Sequence, residues 1–264
     1  MPEGPECRRN AEGLARRVSG QVLESITIET GRYTKKPPSG LDGVIANLPA
    51  EVVGAGVHGK FIYWILKNDL FIWSTLGMTG QWSTERSKHT RLSFDLGNGS
   101  VFYNDQRNFG TIKFVQGKFR LIEKLKSFGP DMLAEDVLDE VFIECLRKKP
   151  KWQITRALMD QEIIAGVGNY IKSDALWLAR ISPRRSVGSL SDDELSNINR
   201  AIKQVMHESY QNGSQYSDGF TKSGDDYEHK HLVYNQLTDP DGNEVIREMT
   251  ADKRTTYWVP KVQI

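Results

Sequence analysis

Apolar residues recur at Ala11, Leu14, Ala15 and Val18, a three-to-four-residue spacing that places them on one side of a helix, so a first amphipathic helix is predicted over 6–18. From 21 to 116 the texture changes to short β-branched and aromatic runs at 24–30, 60–66, 69–75 and 91–95. Leu96-Gly97-Asn98-Gly99 reads as a hairpin turn between two such runs. Strands at this density predict a β-sandwich or barrel. The stretch 119–136 carries the breakers Phe128-Gly129-Pro130-Asp131 and reads as a connection, beyond which the period becomes helical. Helices are predicted over 137–147, 152–159, 170–179 and 191–211. The last opens with a capping box, Ser191 and Glu194, and carries Leu195, Ile198, Ile202 and Val205 on one face. Residues 218–230 are polar and loop-like. The tail, 231–264, returns to strand texture, with Asp239-Pro240-Asp241-Gly242 as a turn between two arms.

The predicted fold class is α+β in two domains. A β-sandwich with flanking helices spans 1–130, and a helical part spans 131–230, with 231–264 as its β-rich end. A chain of 264 residues is near the length at which one core stops growing and a second forms. The net charge of +1 does not by itself announce nucleic-acid binding, so any DNA-binding face has to come from clustering. Clusters exist at Arg8, Arg9, Arg16 and Arg17, and at Arg147, Lys148, Lys149, Lys151 and Arg156; solvated helix faces are the alternative reading of each. Cys7 and Cys145 are too few and too far apart for a disulfide framework or a cysteine zinc site, and no cofactor is expected. The start has neither the basic residues nor the apolar run of a signal peptide, and no long apolar run occurs elsewhere. A soluble, intracellular, unexported protein is expected, its compartment left open.

Chemistry begins at the N-terminus. Loss of Met1 would expose Pro2 as a secondary amine, and an α-amino group, with a reference pKa of about 8 against about 10.4 for lysine, is partly neutral at physiological pH. Such an amine can attack an aldehyde-level carbon and form an iminium, an electron sink for eliminating a neighbouring phosphate. Glu3 beside it can shuttle protons. Gly166-Val167-Gly168-Asn169 falls between two helical patterns, where Asn169 can cap the second helix and the exposed amides of a helix start suit a phosphate oxygen. Met78, Arg107 and Phe109 lie in loops of the β-rich part, where they can fill the gap left by a flipped base; core packing is the competing reading for Met78 and Phe109.

In this order the residues resemble the formamidopyrimidine-DNA glycosylase and endonuclease VIII family over essentially the whole chain. Pro2-Glu3-Gly4-Pro5-Glu6 looks like the endonuclease VIII branch, and Gly59-Lys60 looks like the family's Gly-Lys on a strand, whose lysine binds phosphate and assists proton transfer. Residues 161–169, with Asp174 beyond, are similar to the helix-two-turns-helix signature, implying that Asn169 touches the DNA backbone. Met78, Arg107 and Phe109 match the family's void-filling trio. Lys253-Arg254-Thr255-Thr256-Tyr257 resembles the tip of its C-terminal zinc finger, whose arginine contacts phosphate and assists the second elimination. The four cysteine positions of that finger are Thr238, Asp241, Val259 and Val262, which form no thiolate site. The pattern resembles the zincless-finger branch of animal and giant-virus enzymes, with packing through Val245, Ile246, Tyr257, Trp258 and Val259 in place of the metal. Thr75 replaces a histidine common in the family. Arg91 and Thr155 stand at its phosphate-binding positions, where Arg91 and Arg156 are the candidate cations.

The resemblance implies a bifunctional glycosylase and abasic-site lyase with duplex DNA between its domains. Pro2, Glu3, Lys60 and Arg254 are the catalytic candidates; Asn169, Met78, Arg107, Phe109, Arg91 and Arg156 are the DNA-binding ones. Oxidised pyrimidines and ring-opened or hydantoin purines are the implied substrates, and 218–230 is a candidate lid. The expected partner is double-stranded DNA with oxidised bases or abasic sites, single-stranded or bubble DNA being a second form. A monomer without membrane association is expected. Two other readings remain at this point: a non-catalytic damaged-DNA-binding protein, and a tautomerase using an N-terminal proline as base.

Overall fold

The computed structural model describes residues 2–134, 136–214 and 230–264. The described chain falls into two compact units: residues 2, 6–126 and 213–214 in one, and 3–5, 127–134, 136–212 and 230–264 in the other. The lid expectation for 218–230 lies, but for Lys230, outside the described residues.

In the first unit the elements are α1 (Gly4–Val18, from Glu6 in this unit), β1 (Val22–Leu23), β2 (Ser25–Ile28), a 3-10 turn at Gly31–Thr34, α2 (Leu41–Ile45), β3 (Ala50–His58), β4 (Phe61–Leu66), β5 (Leu70–Thr75), β6 (Gly80–Ser83), β7 (Thr90–Asp95), β8 (Ser100–Asp105), β9 (Thr111–Gln116) and α3 (Lys118–Lys126). They form a sandwich of a five-stranded sheet, β1-β3-β4-β5-β9, and a four-stranded sheet, β2-β7-β8-β6. Alternate residues of each strand turn inward, so Trp64 of the first sheet meets Trp82 and Phe94 of the second at ring distances of 5.0 and 5.3 Å. Cys7, Ala11, Leu14 and Val18 bring one face of α1 onto this core, while Ala15 is only half-buried. Buried Asn10 locks the helix to β6, its amide and carbonyl each 2.9 Å from the backbone of Trp82.

One element differs from the expected connection: 118–126 is helical. Leu121 alone among its residues is buried and Phe119 is 72% exposed, and the Gly-Pro breakers lie beyond its end.

The second unit contains α4 (Asp139–Arg147), α5 (Ile154–Met159), α6 (Asn169–Leu178), α7 (Asp192–Ser214, to Asn212 in this unit), β10 (Ile246–Met249) and β11 (Thr255–Trp258). The predicted capping box forms at the start of α7: the Ser191 N–H donates to Glu194 at 2.7 Å and the Glu194 N–H to the Ser191 hydroxyl at 3.2 Å. Leu195, Ile198, Ile202 and Val205 of α7 are buried against Ile154, Leu158, Ile171 and Leu176 of α5 and α6. In the tail only β10 and β11 are strands. Their hairpin closes at 250–254, and Asp239–Gly242 turns instead within the isolated bridge Thr238–Glu244. The result is an α+β protein with a sandwich N-terminal part and a helical C-terminal part. Among the described residues no helix is long and apolar enough to cross a membrane.

Candidate active site

Within the second unit, the segment 3–5 is held against the joint between α5 and α6. The Gly4 N–H donates to the Gly166 carbonyl at 2.8 Å, and Glu3 is 1% exposed. Its carboxylate accepts the N–H of Tyr170 at 2.9 Å and that of Ile171 at 3.3 Å. These are donors of the first turn of α6, which have no partner within the helix, and the positive end of the helix dipole favours an anion there. Gly168 precedes the helix in extended conformation and makes no side-chain cap. A Cβ on it would stand 2.2 Å from Cδ of Glu3, so this position has room for glycine only. Gln161 fixes the turn from inside, its amide reaching the carbonyls of Met159 and Val167 and accepting the Gly166 N–H at 3.0 Å.

Asn169 is not the cap that its position suggested. It is the first helical residue, 8% exposed, and its amide donates to the Thr255 carbonyl at 2.9 Å, tying β11 to α6. The cap comes from Glu3, far away in sequence. Tyr234 was not legible as a site residue. Burial raises its phenol pKa, the charge of Glu3 adds to that, and a hydrogen bond with Asn169 opposes it. Its backbone is set by buried Asp174, which accepts the N–H groups of Leu232, Val233 and Tyr234 at 3.0–3.2 Å. Arg254 is exposed in the loop between β10 and β11, and Arg156 is exposed on α5 with its guanidinium carbon 3.8 Å from the Trp152 ring centroid. Arg147 of the same basic cluster is turned inward, donating to the Val187 and Leu190 carbonyls and pairing with Asp192 at 2.7 Å.

At the four finger positions, Val259 is buried with Trp177, Val233 and Val245, and Val262 and Tyr257 pack against that cluster. Asp239 orders the adjoining turn through the N–H groups of Asp241 and Asn243 and the Trp177 indole. Burial alone would raise its pKa, but these hydrogen bonds outweigh it and hold the carboxyl below its usual range. Among the described residues no group of three His, Cys, Asp or Glu side chains could hold a metal ion.

Within the first unit, Pro2 is half-buried just ahead of α1. Lys60 is not on a strand: Gly59 and Lys60 are the two-residue turn of the β3–β4 hairpin, closed by the pair His58–Phe61. Met78 lies in the β5–β6 loop, half-buried, and Arg107 and Phe109 in the β8–β9 loop, both exposed. Phe109 is 55% exposed, so it is not a core residue, and the Arg107 guanidinium stands 4.9 Å from its ring centroid.

The two loops are fastened to each other. The Arg107 N–H donates to the Thr79 hydroxyl at 2.9 Å, and a Cβ on Gly77 would meet the Gly110 nitrogen at 2.6 Å. Asp105, 1% exposed, serves both loops: one carboxylate oxygen accepts the Thr79 hydroxyl at 2.6 Å, the other the Gly110 N–H at 2.8 Å. Asp105 was not legible as a site residue, since nothing local in the sequence shows which loop it serves. Arg91 is 7% exposed and directs its donors inward, to the carbonyls of Asp105 and Gln106 and the Thr30 hydroxyl. This corrects its assignment as a phosphate-binding cation: the guanidinium braces the β8–β9 loop. Thr75 bonds to Thr111 at 2.8 Å, and Thr155 is fully buried.

Three family descriptions match the chain in succession: the formamidopyrimidine-DNA glycosylase N-terminal domain over residues 1–112, its H2TH domain over 128–220 and its C-terminal domain over 223–264. A formamidopyrimidine-DNA glycosylase of Chloroflexus aurantiacus is 29% identical over 277 residues, covering 100% of this chain and 98% of the relative. One from Rickettsia africae is 31% identical over 215 residues, 78% of this chain and 77% of the relative. The crystal structure of Lactococcus lactis Fpg (MutM) with DNA containing an oxidised pyrimidine superposes with a TM-score of 0.83 at 26% identity, covering 99% of both chains. The class defined by this fold and this order of domains is a DNA-repair glycosylase. The chain belongs to the formamidopyrimidine-DNA glycosylase family. Membership removes the tautomerase reading and, since the family is one of enzymes, the non-catalytic one.

Proposed function

We propose that the chain removes oxidised bases from DNA and cleaves the resulting abasic site through an imine on Pro2. The observation that carries this reading is the setting of Glu3, a buried carboxylate held by two N–H groups at the start of α6 in the residue next to the candidate nucleophile. Loss of Met1 frees the Pro2 amine, whose lone pair forms the N–C1′ bond as the bond from C1′ to the base breaks and the base leaves with the electron pair. Glu3 takes the proton that the Pro2 nitrogen loses after attack and passes it to the sugar ring oxygen, and the ring opens to the iminium. Loss of a C2′ proton expels the 3′ phosphate, and loss of a C4′ proton then expels the 5′ phosphate. Water hydrolyses the imine, returning Pro2 and leaving a one-nucleotide gap with phosphate on both sides. Lys60, Asn169 and Arg254 bind backbone phosphates, Arg254 also assists the second elimination, and Arg156 adds a peripheral cation. Met78, Arg107 and Phe109 occupy the stack vacated by the flipped base; their placement in two loops joined through Thr79 and Asp105 supports this role.

The substrates on this reading are oxidised pyrimidines and ring-opened or hydantoin purines. Related solved structures contain DNA with an oxidised pyrimidine and DNA with Fapy-dG, which favours both classes. Valines at two of the four finger positions, packed with Trp177 and Val245, favour a zincless finger of the endonuclease VIII-like branch. The protein acts as a monomer on duplex DNA, and on single-stranded or bubble DNA as a second form.

Borohydride trapping on an oligonucleotide with an abasic site or an oxidised pyrimidine tests the nucleophile. Wild type forms a covalent adduct, whereas Pro2→Gly and a form retaining Met1 lose it. Equal trapping by all three rejects the assignment.

A further inference from the structure

α6 buries a lysine that the mechanism above does not use. Lys172 is 0% exposed, and its ammonium donates to Asp252 at 2.6 Å, Asp252 being 3% exposed at the side chain. A charged pair taken this far out of water is a poor route to stability, because desolvation offsets most of the Coulombic gain. What the pair joins is specific. The other oxygen of Asp252 accepts the Thr250 hydroxyl at 2.5 Å, and that hydroxyl also contacts Thr256 at 2.6 Å. The Thr250 N–H donates to the Arg254 carbonyl at 3.1 Å, and the Lys253 N–H to the Thr250 carbonyl at 2.9 Å. The whole 250–254 loop is therefore closed around the carboxylate that Lys172 holds. Lys172 itself is the fourth residue of the helix whose first turn binds Glu3, its own N–H donating to the Gly168 carbonyl at 2.9 Å.

We infer that Lys172 is a positioning residue that fixes the loop bearing Arg254 to the helix whose first turn holds Glu3, so that the second elimination depends on the Lys172–Asp252 pair. The inference rests on the roles proposed for Pro2 and Arg254. The electrostatics agree with the geometry. Burial lowers the Lys172 pKa, Asp252 opposes that, and the charges of Glu3 and Arg254 both act on the ammonium. The lysine thus lies within the field of both groups. A residue that only docked the finger would weaken DNA binding and every chemical step together. A positioning residue for Arg254 changes how the imine partitions after the first phosphate has left.

The test is single-turnover reaction of the full chain with an abasic-site duplex, resolving the unsaturated-aldehyde end left by the first elimination from the phosphate end left by the second. Borohydride trapping is read in parallel, with Pro2→Gly as control. Lys172→Met and the nearly isosteric Asp252→Asn are each expected to lower the ratio of second to first product roughly 10- to 100-fold. Trapping should stay within about twofold of wild type, and the double variant should be no worse than the worse single, as expected for one shared interaction. An unchanged ratio in Asp252→Asn, which keeps the packing should Lys172→Met fail to fold, overturns the inference, as does trapping that falls in parallel with the ratio. Failure of wild type to trap at all overturns the assignment of Pro2 instead, so the two failures are distinct.

Discussion

Glu3 occupies the space that a side chain at position 168 would need: a Cβ on Gly168 would stand 2.2 Å from the Glu3 Cδ and 2.5 Å from its Oε1. The glycine and the acid are one device, since the acid reaches the first-turn amides of α6 only because residue 168 has no side chain. Gly168→Ala is therefore expected to displace Glu3. It should cost about 1–3 kcal/mol of stability as overpacking and lower base excision by roughly 100-fold, with much less effect on DNA affinity. Thermal unfolding, a binding titration and single-turnover excision measure the three quantities. Excision at the wild-type rate would show that Glu3 does not act from this position.

Asp105 is expected to matter for damaged duplex more than for an abasic single strand. Asp105→Ala leaves the Gly110 N–H and the Thr79 hydroxyl without their acceptor, a loss of about 1–3 kcal/mol, and releases the loops of Met78 and Phe109 from each other. Excision from an intact duplex should fall roughly tenfold or more, while trapping on an abasic single strand, which has no stack to fill, stays close to wild type. Parallel assays on the two substrates check this.

The finger should be indifferent to chelators and sensitive to acid. Incubation with EDTA is expected to leave the melting temperature and activity unchanged, and elemental analysis to find well under one zinc per chain. The folded-state pKa of Asp239 lies below its reference value, so its contribution to stability is fully present above pH 4 or so and is lost as pH falls through the lowered value. Asp239→Asn should accordingly be less stable than wild type at neutral pH, with the difference shrinking in acid. Melting curves across pH decide it, and a constant difference would refute the reasoning.

Arg254 and Arg91 should separate in a salt titration. Arg254 is exposed, so Arg254→Ala is expected to reduce the slope of log affinity against log salt by about 1. Arg91 spends its donors on Asp105, Gln106 and Thr30, so Arg91→Ala should destabilise the protein with no comparable change in slope. Equal slope changes in the two variants would restore Arg91 as a phosphate contact.

Local patterns carried much of the fold. The face of α1, the strands of the sandwich, the hairpin at Leu96–Gly99 and the capping box of α7 are each set by residues within a turn or two of one another, which is the range over which periodicity and capping act. Helix α3 was missed because the breakers at 128–131 marked the whole of 119–136 as a connection, although they lie beyond the end of the helix. Lys60 was placed on a strand because a two-residue hairpin turn joins two β-rich runs almost without interruption.

By itself the sequence determined most of the elements, the two-part organisation and the family, and it named Pro2, Glu3, Asn169 and Arg254 as candidates. Only the tertiary structure decided how several residues are used: that Glu3 and not Asn169 caps α6, that Arg91 braces a loop, that Asp105 serves two loops, and that Lys172 holds the loop of Arg254 through Asp252. Each of these depends on where a buried polar group finds its partner. Burial makes an unmatched donor or acceptor costly, so the partner has to exist, but chain topology supplies it from any distance along the sequence.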